Sequence, residues 1–176
     1  MSTIAPRTPE HPEPLGPPTR AQVDLFTSDL PDLSGSVTFQ ALPPDGVRVD
    51  AEILGLEPGS VHGLQLREAT DCDDFAAESP HFDGIAAEGE PPRPHGDPNQ
   101  LDSHLGDLGN LTADADGHAQ LISRVRGLLT VGVGGPFDIV GHVLVLQRAE
   151  DDFISDSPDN SGGLLACGRV DLLPAE

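Results

Sequence analysis

The residues of this sequence that are best suited to bind a metal ion are three histidines and one aspartate: His81, His95, His104 and Asp107. Their spacing is H-x13-H-x8-H-x2-D. Three imidazoles and one carboxylate can form a tetrahedral zinc site that has no open coordination position. The spacing matches no short zinc signature, so the residues alone leave scattered surface histidines as the alternative.

The three histidines lie in, or directly after, a stretch of the chain in which no secondary structure is visible. This stretch runs from about 69 to 103 and is rich in Pro, Gly and acidic residues. A loop of that length inside a compact domain is usually functional or disordered. Ligation of a metal ion is a physical reason for it to be ordered, so we expect a metal ion to organise this loop.

Short strands are expected on both sides of the loop. Alternation of apolar and polar residues, the pattern of a half-buried strand, begins at Gln22 and is cleanest from Val47 to Ile53. The turn residues at 43–46 (PPDG) precede this strand and suit a hairpin. Further strands are expected at 61–68, 108–112, 118–125, 139–147 and 165–172, and a second acidic loop at about 148–163.

The composition also favours an all-β domain. About eight strands and two long loops predict an antiparallel sandwich or flattened barrel, and 20 Gly and 18 Pro among 176 residues disfavour a helical bundle. The first 21 residues hold six prolines and almost no large apolar side chain. We therefore expect a flexible Pro-rich tail at 1–21 and a single domain at 22–176.

The charge of the chain limits its partners. The net charge is −21, and all nine basic residues are Arg. Such a surface repels nucleic acid and anionic membranes, so neither is an expected partner. The acidity reflects either compositional bias and solubility or selection of a cationic partner. No apolar run approaches the ~20 residues that span a bilayer, and no secretory signal is visible, which favours the cytoplasm.

Six segments resemble motifs of the copper/zinc superoxide dismutase family. The run HLGDLGNLTAD at 104–114 is close to the family's H-V-G-D-L-G-N-V-T-A-D and is highly specific. The other five segments each match one family motif. VHGLQLRE (61–68) matches H-G-F-H-V-H-E, PHFD (80–83) matches P-H-F-N and HG (95–96) matches H-G-G. GHVLVLQ (141–147) matches G-R-T-L-V-V-H, and LLACG (164–168) matches R-L-A-C-G. The resemblance covers about 22–173 and implies an eight-stranded antiparallel Greek-key barrel of immunoglobulin-like form.

The resemblance separates the two halves of the family's metal site. Its four zinc ligands match His81, His95, His104 and Asp107, and His81 is the one that bridges zinc to copper in the family. The ligands of copper alone match Gln65, Arg67 and Gln147, and the arginine that guides superoxide matches Leu164. Since zinc does not change oxidation state, the resemblance implies one zinc per chain, no copper and a pseudoenzyme.

Two further assignments follow from the resemblance. Cys72 and Cys167 match the family's intrasubunit disulfide, with the earlier cysteine placed as in bacterial members; two buried thiols are the alternative. Asp151 matches an aspartate that links a zinc histidine to a copper histidine, and here it could orient His95; a solvated acid is the alternative. A disulfide is uncommon in a reducing cytosol, so it favours a periplasmic or secreted location.

Three functions are compatible with these residues. The favoured one is a zinc-binding protein that has lost the copper site and dismutase activity, and that holds zinc structurally or binds a partner. One alternative is a dismutase that converts superoxide to oxygen and hydrogen peroxide at an atypical copper site. The other is a docking module, like the domain of the family's copper chaperone that resembles the enzyme it serves. A homodimer is compatible with each, and the sequence names no protein partner.

Overall fold

The computed structural model of this chain is an all-β fold. It describes residues 19–27, 29–72, 76, 78–84, 91–125, 127–155 and 162–175. Nine strands lie within these ranges: β1 (Arg20–Leu25), β2 (Ser34–Ala41), β3 (Val47–Leu54), β4 (Val61–Arg67), β5 (Asp107–Thr112), β6 (Ala119–Val125), β7 (Val143–Gln147), β8 (Leu164–Arg169) and β9 (Asp171–Leu172). The described ranges contain no helix that is long and apolar enough to cross a bilayer.

The strands form two antiparallel sheets that face each other. One sheet has the order β6-β3-β2-β1-β9, and the other has the order β5-β4-β7-β8. Val23, Phe39 and Ile53 from the first sheet meet Leu64 and Leu146 from the second in one apolar core. This arrangement confirms the predicted antiparallel Greek-key sandwich.

The four-stranded sheet carries polar side chains on the face that points away from the core. Successive side chains of a strand lie on opposite faces, so in β4 the core residues Leu64 and Leu66 alternate with Gln65 and Arg67. Gln65 and Arg67 are nevertheless only 2% exposed. Both long loops contact them, because Arg67 donates a hydrogen bond to the Ser79 carbonyl and Gln65 donates one to Asp151. The outer face of this sheet is therefore a second, polar interior.

The turn expected at 43–46 joins β2 to β3. The Leu42 amide donates to the Gly46 carbonyl, and Ala41 pairs with Val47 in the ladder that follows. Gly46 has a φ of 106°, a backbone conformation that glycine adopts without steric cost. The hairpin prediction is confirmed.

Three strands differ from the prediction by more than a single residue at an end. β1 begins at Arg20 rather than Gln22, and residues 1–18 of the expected tail lie outside the described residues. β7 begins at Val143 rather than at 139, because the chain turns at Gly141, whose φ is 92°. The expected strand at 165–172 is divided at Val170: β8 pairs with β7, whereas β9 pairs with β1 in the other sheet.

A disulfide joins the first long loop to β8. Cys72 and Cys167 are bonded, with their Cα atoms 5.8 Å apart, which confirms the pairing implied by the family resemblance. Cys167 lies in a small apolar cluster with Ala76, Val143 and Val145 on the outer face of the four-stranded sheet. The bond therefore fixes the start of the loop that carries the histidines.

Reduction of this disulfide should lower the melting temperature. The cysteines are 95 residues apart in sequence, and closing a loop of that order restricts the unfolded chain by about 4–5 kcal/mol in the chain-entropy description. Thermal unfolding with and without a reductant measures the effect. The Cys72→Ala/Cys167→Ala variant is the control, because its melting temperature should not respond to the reductant. Two free thiols by mass spectrometry in the oxidised protein would contradict the bond.

Candidate metal centre

Three histidines and one aspartate from distant parts of the chain meet in one cluster. His81, His95 and His104 come from the first long loop and its exit, and Asp107 is the first residue of β5. Candidate ligand atoms of these four side chains all lie within 4.8 Å of one another. The structure thus brings together the four residues predicted as metal ligands.

The same ring atom of each histidine faces the aspartate. The Nδ1 atoms of His81 and His95 lie 2.6 and 3.1 Å from Asp107 Oδ1, and Nδ1 of His104 lies 3.6 Å from Asp107 Oδ2. The Gly96 amide donates to Asp107 Oδ2 at 3.0 Å. Three imidazole nitrogens and a carboxylate oxygen thus converge on one point, and this donor set is that of a closed tetrahedral zinc site.

The electrostatics of the cluster centre on Asp107. Burial alone would raise the pKa of Asp107, but its contacts with the three imidazoles hold that pKa far below its ordinary value. Burial favours the neutral form of His95, yet hydrogen bonds with Asp107 and Asp151 raise the pKa of His95 to about 10. Burial and the nearby Arg67 charge lower the pKa of His81. A metal ion would compete with protons for these atoms.

Backbone pairing to β4 holds the His81 end of the loop. His81 forms an isolated bridge with Arg67. The Phe82 amide donates to the Leu66 carbonyl, and the Gly106 amide donates to the Phe82 carbonyl. Phe82 is 1% exposed and belongs to the main core. This part of the loop is therefore positioned by the fold itself.

Hydrogen bonds among three charged residues, which the sequence analysis missed, hold the part of the loop that follows His81. Arg93 donates to Asp83 at 2.7 Å, and its backbone amide donates to the same carboxylate. The Asp83 amide in turn donates to Glu68 at 3.1 Å, just after β4. Asp83 and Arg93, which are 10 residues apart in sequence, are thus held together. Oppositely charged residues in an acidic loop are common, so no sequence signal singled out this pair.

Asp151 connects the second long loop to the cluster. Its Oδ1 lies 2.8 Å from His95 Nε2, and its backbone amide and carbonyl both bond the side chain of Asn110. Asp151 is 6% exposed, so it is not a solvated acid. Burial would raise its pKa, but hydrogen bonds from His95, the Phe153 amide and Gln65 hold the pKa of Asp151 below its ordinary value. The sequence analysis did not identify Asn110 as its anchor.

The three positions that match the copper ligands are joined by hydrogen bonds. Arg67 Nη2 donates to Gln65 Oε1. Gln147 Nε2 donates to the same oxygen at 2.9 Å, and Gln65 Nε2 donates to Asp151 Oδ2 at 2.6 Å. Leu164 lies beside this group, because it pairs with Gln147 between β7 and β8. Two amides, a guanidinium and an aliphatic side chain thus occupy this half of the site.

A cavity of about 260 Å³ reaches the cluster from the side. His104 and Asp107 line it together with Asn99, Ser103 and Arg124. His104 is half-buried, whereas His81, His95 and Asp107 are buried. Of the four clustered side chains, His104 and Asp107 therefore border open space.

The chain is thus a Greek-key β-sandwich with a cluster of three histidines and one aspartate that could hold a metal ion. The sequence model described as copper/zinc superoxide dismutase (SODC) matches residues 33–170. The chain therefore belongs to the copper/zinc superoxide dismutase family.

The similar proteins include a dismutase and a copper chaperone. The chain is 31% identical to the extracellular superoxide dismutase [Cu-Zn] of Brugia pahangi over 162 residues, which cover 86% of this chain and 76% of that protein. It is 34% identical to the human copper chaperone for superoxide dismutase over 145 residues, which cover 78% of this chain. These span about half of the chaperone, 48% of its length. The crystal structure of the clock protein EA4 superposes with a TM-score of 0.71 at 31% identity, over 89% of this chain and 96% of that one.

Proposed function

We propose that this chain is a zinc-binding protein of the superoxide dismutase fold that has no copper site and no dismutase activity. His81, His95, His104 and Asp107 hold the zinc. The bound ion cross-links the first long loop to β5, and it supplies no redox chemistry because zinc has one accessible oxidation state.

The observation that carries this proposal is the state of Gln65 Oε1. An amide oxygen has two lone pairs, and here Arg67 and Gln147 each donate a hydrogen bond to it. Arg67 is a permanent cation without a lone pair to give. Of the two amide oxygens at these positions, that of Gln147 has no hydrogen-bond partner, but an amide oxygen is a weak ligand where imidazole is wanted. Copper would thus find one good protein ligand, His81.

Metal analysis tests the proposal directly. Protein prepared with at least one equivalent each of copper and zinc per chain should contain about one zinc ion per chain and no second metal equivalent. The total metal content per chain is as informative as the identity of the bound metal, because copper(II) can displace zinc from a nitrogen site by its higher intrinsic affinity. Near-equal copper and zinc, each stoichiometric with the chain, would contradict the proposal.

A docking module is the second candidate, and the 34% identity to the human copper chaperone for superoxide dismutase favours it. In that case the zinc-loaded fold would present a surface to a related dismutase. Size-exclusion chromatography of the chain with a copper-binding dismutase of the same source would show a mixed complex. Loss of the complex when a chelator is added would show that docking requires the metal. Chromatography of the chain without the dismutase would show whether it forms a homodimer.

The disulfide and the extracellular relative both favour an oxidising compartment for this function. In such a compartment the bond between Cys72 and Cys167 would persist, and the loop that carries the zinc ligands would stay fixed at its start.

A further inference from the structure

The side chains at the former copper positions form an ordered network with a defined direction. Arg67 Nη2 and Gln147 Nε2 donate to Gln65 Oε1, Gln65 Nε2 donates to Asp151, and Asp151 contacts His95 Nε2. Every member is at least nine-tenths buried. The network therefore runs from the guanidinium to the ring of one zinc ligand.

Gln65, which lies on β4 and outside the loop of Asp151, donates a hydrogen bond to Asp151 Oδ2. Asp151 Oδ1 contacts the His95 ring and accepts a hydrogen bond from the Phe153 amide. The other oxygen, Oδ2, accepts the hydrogen bond from the Gln65 side-chain amide at 2.6 Å. A carboxylate held at both oxygens has one orientation. The aspartate in turn fixes the tautomer and plane of the imidazole that it contacts.

The positive charge of Arg67 strengthens this arrangement. A cation that donates to an amide oxygen polarises the amide, and the N–H on its other end becomes a better donor. That N–H is the one that points to Asp151. Arg67 therefore acts on the aspartate through Gln65. It also donates to the Ser79 carbonyl at 2.8 Å, which ties the network to the first loop.

Close packing keeps the second amide in place. Gln147 Oε1 lies directly against Gly63, and a Cβ built at Gly63 would collide with it and lie 3.1 Å from Asp151 Cβ. In this orientation Gln147 Oε1 takes up space that a side chain at position 63 would need. Its amide can serve Gln65 Oε1, but it makes no hydrogen bond to Asp151.

We propose that Gln65 is a positioning residue for the zinc site: with Arg67 behind it, it holds Asp151 and thereby orients His95. The half of the site that lost its copper ligands has become a support for the other half. This inference rests on the proposed function, because it presumes that zinc is the ion at His81, His95, His104 and Asp107. It predicts that zinc affinity depends on a side chain whose hydrogen bonds go to Asp151, Arg67 and Gln147 rather than to a zinc ligand.

Matched substitutions of the two buried glutamines test this. Gln65→Met removes the donor to Asp151, while Gln147→Met removes an equally buried amide that donates to Gln65 rather than to Asp151. Methionine fills irregular gaps, so both variants should fold. We expect zinc affinity, measured by competition with a chelator, to fall about 10–100-fold in Gln65→Met and clearly less in Gln147→Met.

Two further variants separate positioning from stability. Gln65→Asn keeps an amide that is too short to reach Asp151, so it should also lose zinc affinity, and it replaces Gln65→Met if that variant does not fold. Gln65→His offers a ring N–H to Asp151 and should retain affinity in copper-free buffer. The visible spectrum of the cobalt(II)-substituted protein should change in Gln65→Met and Gln65→Asn, since it reports the geometry around the ion.

The outcomes distinguish this inference from the proposed function. Equal losses of affinity in Gln65→Met and Gln147→Met, or an unchanged cobalt spectrum in Gln65→Met and Gln65→Asn, would overturn the positioning role and leave the zinc site standing. Failure of the unmodified chain to bind zinc would overturn both. A selective loss at position 65 that Gln65→His restores would establish it.

Discussion

The unmodified chain should show no superoxide dismutase activity above that of free copper in the same buffer. Dismutation needs an ion that alternates between two oxidation states, and the residues that would hold such an ion are Gln65, Arg67 and Gln147. The side-chain oxygen of Gln65 already accepts hydrogen bonds from Arg67 and Gln147, and Arg67 offers no lone pair. Activity in the unmodified protein that rises with bound copper would contradict this.

Replacement of all three residues with histidine should restore copper binding but not a fast enzyme. Gln65, Arg67 and Gln147 contact one another and adjoin His81, so three imidazoles there would share one centre. Superoxide is an anion, however, and rapid capture depends on positive potential focused in a cleft. The chain carries a net charge of −21, and the triple variant loses the Arg67 cation as well.

Addition of Leu164→Arg to the triple variant should raise the rate on the order of 10-fold, through a local field that attracts the anion. Position 164 is half-buried and pairs with position 147 in the adjacent strand, so a guanidinium there would lie beside the rebuilt centre. Leu164→Gln is the matched control, since it is polar but uncharged and should leave the rate of the triple variant nearly unchanged.

The salt dependence of the rate identifies the cause. A gain from electrostatic attraction shrinks as the Debye length falls with rising ionic strength, so the advantage of Leu164→Arg over Leu164→Gln should fade in concentrated salt. Pulse radiolysis on copper-loaded protein measures both rates. A triple variant that already works near the diffusion limit, or an arginine effect independent of salt, would refute this account.

The fold was predictable where short-range patterns decide it. The alternation in 47–53 defines β3, and the turn residues at 43–46 define the hairpin before it, because both depend on a few neighbouring residues. The division of the last strand was not predictable. At Val170 the chain leaves one sheet for the other. This change depends on pairing with β1, which begins at Arg20, 150 positions before Val170.

The candidate site was predictable in its residues but not in its contacts. Family motifs pointed to the four positions that match the zinc ligands. The residue types at the positions that match the copper ligands showed that none of them is a histidine. Sequence gave no reason to expect that Gln65 would accept from Arg67 and donate to Asp151, since this depends on which way each side chain turns on the outer face of the sheet. A changed residue type at a ligand position is visible in a sequence, whereas the contacts that the new side chain makes are visible only in a structure.

Removal of two zinc ligands should release one part of the first loop and leave another in place. In His104→Ala/Asp107→Ala, half of the donor set is gone. Structural zinc sites bind with about 10–16 kcal/mol, and each 1.4 kcal/mol is a factor of ten, so a loss of several kcal/mol should abolish zinc binding at micromolar metal. Protection from hydrogen exchange should then fall across 91–104, where the Gly96 amide bonds the Asp107 carboxylate itself.

Residues 79–84 should stay protected in the same variant, because Phe82 is in the core and pairs with the Leu66 and Gly106 backbone without help from a metal. Hydrogen exchange followed by mass spectrometry resolves the two segments. His118→Ala/Asp116→Ala is the matched control: it changes the same residue types in the turn between β5 and β6, away from the cluster, and should leave both segments as they are. If exchange in 91–104 is the same in the ligand variant, in the control and in the unmodified protein, then the packing of the loop orders it and the zinc does not.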